Sequence, residues 1–227
     1  GGAGGGGAPR RTHGDVASTQ ARQMPEAPAD PLAWSVAQVQ EADFLASASY
    51  AGSLCRALEA GEAGGKHAER LAAMLGHSDG ARGFFVTYLT DPALGRIADA
   101  PTGLSPVVAQ ALRGADPAVV APLAIMNLVM PTATAMAHEA RGDAEAAARS
   151  QLTASRGSRV LKELLSDTTA GPAARAKLEA ARAAAEGDAD SADKEWSAFY
   201  KRWKYDGDQM AAIRRTLDAA LAAEPVA

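Results

Sequence analysis

The chain has 227 residues, an apolar fraction of 47% with only 5% aromatics, and a formal charge of -4 at a pI near 5.6. Its single cysteine, Cys55, excludes an internal disulfide and a cysteine-based zinc centre, and points to a reducing compartment. The acidic balance argues against a general nucleic-acid binder and leaves no expectation of DNA as a partner, whereas abundant alanine and sparse β-branched residues favour helices.

Residues 1–29, opening GGAGGGGAPRRTHG, carry few large apolar groups and cannot offset their own ordering entropy. They read as a disordered leader. Arg10, Arg11 and Arg22 outnumber Asp15 and Glu26, which suits the remnant of an organellar transit peptide; a flexible linker is the alternative. No apolar run suited to a secretory signal occurs in it. Residues 30–227 are predicted to form one all-α domain, an irregular multi-helix bundle.

A capping residue followed by proline recurs at Asp30-Pro31, Asp91-Pro92, Ser105-Pro106 and Asp116-Pro117. The Asp or Ser side chain accepts from an orphan N–H, and proline at the first helical position has no N–H to leave unpaired. Gly171-Pro172 is expected to open a further helix. The predicted helices run over 31–60, 66–75, 80–90, 92–99, 106–113, 117–141, 143–166, 172–186, 191–205 and 208–223. The first is expected to break, if anywhere, near Gly52. The stretch Phe84 to Leu89 has strand propensity but no strand to pair with, and stays helical or irregular.

The run from Ala118 to Ala137 has no charge and could span a bilayer by length. Pro122, Pro131, Asn127 and the many alanines favour a central helix, kinked near Pro131. Further on, Trp196, Phe199, Tyr200 and Trp203 fall on one helix face, and Met210, Ile213, Leu217 and Leu221 on another. Two such stripes separated by a short turn predict a C-terminal antiparallel helical hairpin.

Chemistry is thin. In HSDGARG, His77 could act as acid or base with Asp79 orienting it and Arg82 binding an anion, and with Asn127 could line a small-ligand pocket. The plainer reading is that Ser78 or Asp79 caps the next helix and the glycines allow the turn. The adjacent His138 and Glu139 lack the spacing of a helical metal pair, so no metal and no cofactor are expected. Arg141, Arg149, Arg156 and Arg159 would share a broad face on a continuous helix, for an acidic partner or phosphate, or as a solvated face where Glu145 pairs with Arg149. In FYKRWKY, the cations Lys201, Arg202 and Lys204 flank aromatics, as at a membrane surface or an RNA site, or as the outer face of a packed helix.

The segments HSDGARGFFVTYLT, PLAIMNLVMPTA and EWSAFYKRWKYD resemble an uncharacterised helical family of chloroplasts and cyanobacteria, over most of residues 32–220. The resemblance implies a plastid setting, stroma or thylakoid-associated, and brings no reaction with it; cytosol or mitochondrial matrix are the alternative compartments. The expectation is a non-enzymatic helical interaction or structural protein whose partners are other proteins in a larger assembly. The alternatives are an enzyme or small-ligand binder at His77–Arg82, and a peripheral membrane or RNA-binding accessory protein.

Overall fold

The structure is a computed structural model that describes residues 26–187 and 193–222. Among these, eleven α-helices follow one 3-10 turn and no strand occurs. After the turn Pro31–Ala33 come α1 Val36–Glu41, α2 Phe44–Ala60, α3 Gly65–Leu75, α4 Ser78–Thr90 and α5 Gly95–Ala98. Then follow α6 Pro106–Arg113, α7 Pro117–Ala140, α8 Ala144–Ser166, α9 Gly171–Glu186, α10 Lys194–Trp203 and α11 Gly207–Ala222. Most of the expected leader lies outside the described residues, but its end is tied down: the Ser53 hydroxyl donates to the Pro28 carbonyl.

The expected long first helix is three pieces, and the reason is capping. Ser35 accepts from the Gln38 N–H while the Gln38 side chain accepts from Ser35, so α1 starts afresh; Asp43 accepts from Ala46 and starts α2. Gly52 stays inside α2. Asp30, Ser105 and Asp116 each cap the turn or helix that their proline opens. Asp91-Pro92 differs: the Asp91 side chain closes a turn onto the Ala93 N–H, and α5 begins only at Gly95. The FFVTYL stretch lies wholly inside α4.

Two helix pairs form the core. In the first, Arg82 lies over the Phe44 ring, Gly83 meets Ser47, and Thr87 donates to the Ala48 carbonyl, so α2 and α4 run parallel. A Cβ on Gly83 would stand 2.6 Å from the Ala48 nitrogen, so the closeness of this crossing requires glycine. In the second, Gln151 donates to Glu139 while Gly157 lies on Asn127, so α7 and α8 are antiparallel. Pro131 has no N–H to offer the Asn127 carbonyl one turn before it. Gly157 fills that place: a Cβ there would be 2.8 Å from the Asn127 oxygen.

Helix α7 is long and apolar enough to cross a membrane, yet it packs against α4, α8, α9 and α11. The main packing of the last two helices is not against each other, and the expected hairpin is not confirmed. Both pack on α9, and α11 also packs on α7. The Gln209 side chain fixes this docking: it caps α11 with Asp206 and donates to the Ala133 carbonyl of α7.

Candidate interaction surface at the end of helix α10

His77, Asp79, Arg82 and Asn127 do not converge. The His77 Nδ1 accepts from the Gly80 N–H and its Nε2 lies 3.0 Å from the Val39 carbonyl, which assigns the Nε2-protonated tautomer. The imidazole therefore caps α4 and ties it to α1. Asp79 and Arg82 form an exposed ion pair within the first turns of α4. Asn127 returns its amide to the Leu123 carbonyl of its own helix. Among the described residues no group of three metal-ligating side chains is gathered.

The four arginines do not share a face. Arg141 ends α7 and bonds the His138 ring, and Arg149 pairs with Glu145 as the spacing suggested. Arg156 points inward and is 1% exposed. Its guanidinium binds both Asp99 oxygens, at 2.9 and 2.6 Å, and donates to the Tyr88 and Asp91 carbonyls at the end of α4. Arg159 donates to the Ala98 and Ala100 carbonyls behind α5. At the other end of α5, Glu59 accepts from the Arg96 and Ile97 N–H groups. These charges replace missing helix-terminal partners and hold α2, α4, α5 and α8 together.

The end of α10 is the opposite case. Asp193 caps the helix through Glu195 and Trp196. Trp196 and Tyr200 turn inward, and the Tyr200 hydroxyl donates to the Ala181 carbonyl of α9. Burial raises the Tyr200 pKa and pushes that of Tyr205 up to about 12. Phe199 links these rings edge-on, at 5.3 Å from Trp196 and 5.5 Å from Tyr200. The fourth residue of the stripe breaks the pattern: Trp203, expected in the core, is 48% exposed. Around it Lys201, Arg202 and Lys204 are exposed, and their side chains make no bond or ion pair among the described residues.

Lys204 is the one non-glycine residue at positive φ among the described residues, with φ 51° and ψ 42°. An L side chain in this region stores strain of about 1 kcal/mol or more. Beside it lies a groove of about 370 Å³ between α9, α10 and α11. Its apolar lining comes from Tyr200, Tyr205 and Met210, and its rim from Lys201 and Lys204. The one acidic residue on it among the described residues, Glu186, is paired with Arg182.

Residues 43–220 match the model of a family described as Uncharacterised conserved protein UCP020893. The chain belongs to this family. The match begins at Asp43, the cap of α2, and ends inside α11, so it takes in both helix pairs and the α10 surface. No curated protein and no solved structure matches the chain.

Asp99 and Glu59 carry no signal in the sequence, because only the fold brings the distant Arg156 and Glu59 to the two ends of α5. Lys162 and Arg215 carry none either. These line a groove of about 480 Å³ between α7, α8 and α11, a position that depends on how α11 docks.

Proposed function

We propose that this chain is a non-enzymatic helical interaction protein of a plastid assembly, which docks an acidic segment of a partner protein on the end of α10. One observation carries the reading. A large indole stands exposed among three cations whose side chains have no partner among the described residues, at a helix end whose cap, Lys204, is strained, beside an apolar groove with a basic rim. Exposed tryptophan flanked by basic groups suits an interface anchor, and strained residues cluster where a protein binds. A partner segment with carboxylates outside and an aliphatic or aromatic side chain inward complements that groove. The plastid setting is supported by the resemblance of the three segments and by the arginine excess of the leader.

The test is affinity purification of the tagged chain at near-physiological salt beside Trp203→Ala and Lys201→Glu/Lys204→Glu. The recovered partner, purified, should bind the wild-type chain directly, bind both variants at least tenfold more weakly, and lose affinity as salt rises. Recovery of the wild-type chain only as a free monomer would overturn the proposal. So would attachment of the same face to vesicles in flotation, or to RNA with steep salt dependence, when no protein partner is recovered.

A further inference from the structure

We propose that the groove between α7, α8 and α11 binds a small organic anion, with a carboxylate or phosphate head and a short apolar body. This site is separate from the α10 surface and does not rest on that reading. On α8, Ser155, Ser158 and Lys162 follow one another along a single face, and α11 sets Arg215 and Thr216 opposite them. Small side chains, Ala154 from α8 and Ala212 from α11, leave the space between these helices open, and Leu128 of α7 adds an apolar wall. The resulting volume of about 480 Å³ is that of a small-molecule site.

Among the described residues the charge at this site is unbalanced. The Lys162 and Arg215 side chains make no bond or ion pair there, although the chain as a whole is acidic. The carboxylates beside them in sequence are taken: Glu163 binds Arg113, and Asp218 binds Arg182. Two cations on one concavity repel each other, and an anion between them removes that cost. Hydroxyls of Ser155, Ser158 and Thr216 offer further donors to its oxygens, while Leu128 and the alanines accept an alkyl or aryl body. The Thr132 hydroxyl is committed to the Leu128 carbonyl and lies at the edge of this set.

The experiment is fluorescence titration with 1-anilinonaphthalene-8-sulfonate, an anion with an apolar body, on the full chain and two double variants. The wild-type chain should bind one equivalent. Lys162→Ala/Arg215→Ala should bind about tenfold more weakly, the loss expected from one to two charge-assisted hydrogen bonds, while Lys201→Ala/Lys204→Ala binds as wild type. Because Lys162 and Arg215 are exposed and unbonded, near-UV circular dichroism of that variant should match wild type. Octanoate and octyl phosphate should displace the probe, the stronger competitor naming the head group. The proposal is overturned if the wild-type chain does not bind, if Lys162→Ala/Arg215→Ala binds as tightly as wild type, or if inorganic phosphate competes as well as octyl phosphate.

Discussion

Arg156 and Arg202 have the same side chain, and both lie on helices of the same bundle. Arg156 is closed over by α4 and α5, and its donors are spent on Asp99 and on the carbonyls of Tyr88 and Asp91. Arg202 stands in solvent beside an exposed Trp203, with no partner for its side chain among the described residues. The difference shows what a cation does in an alanine-rich bundle. Where short helices end inside the fold, it satisfies their orphan carbonyls. Where a helix ends at the surface, its charge is free for a partner.

The widest perturbation attacks both regions at once. Burial raises Cys55 from 9.0 to about 12, Tyr50 from 10.0 to about 12 and Tyr205 from 10.0 to about 12, and it raises Tyr88 and Tyr200 as well. A proton held more tightly by the folded state stabilises it fully below the unfolded pKa. That stability is lost as pH climbs through the folded value. The fold should therefore be insensitive to these groups at neutral pH and give way in the window from 9.0 to about 12, followed by tyrosinate absorbance and far-UV circular dichroism. Ionisation of these phenols near 10 with the helices intact would show that the rings of the α10 groove are wetter than the packing indicates.

Among substitutions, Arg156→Ala should cost most. It leaves the partly exposed Asp99 and the Tyr88 and Asp91 carbonyls without their donor, and with about 1–3 kcal/mol for each buried acceptor left unsatisfied the loss should be about 3 kcal/mol. Urea denaturation reads this loss; a change under 1 kcal/mol would mean that the interior cation holds nothing. Gly157→Ala forces a Cβ against the Asn127 carbonyl and should cost about 1–3 kcal/mol, since overpacking at a fixed crossing moves backbone. His77→Ala removes the α4 cap and should cost about 1 kcal/mol, whereas Asp79→Asn, in an exposed pair, should cost under about 0.5 kcal/mol. Their ratio, taken from the same denaturation curves, separates a capping imidazole from a catalytic one, which would be held by Asp79.

How far the sequence reached follows from the same contrast. Helices announced by a local cap and proline were legible, because an N-cap bond spans only two or three residues, as at Ser105 and Asp116. The breaks at Ser35 and Asp43 carry the same chemistry but no proline, and they were read through as one helix. Direction across the bundle was not legible. Arg156 and Arg149 both lie on α8, and only the arrival of α4 and α5 decides that one is core and the other rim. Trp203 fits its stripe by spacing, yet α10 ends at this residue and its Lys204 cap turns the chain away, so the described residues leave the indole 48% exposed. The two stripes near the C-terminus are real, but α10 packs most of its own on α9 and α11 packs on α7 and α9, an arrangement no spacing rule could have placed.

The division between cations that hold the fold and cations that are free is tested most directly by the urea stability of Lys201→Ala/Arg202→Ala/Lys204→Ala. All three side chains are exposed and make no bond among the described residues, so the triple variant should unfold within about 0.5 kcal/mol of wild type. A loss of about 3 kcal/mol or more, the scale of a broken interior pair, would place these charges in the framework and contradict the account.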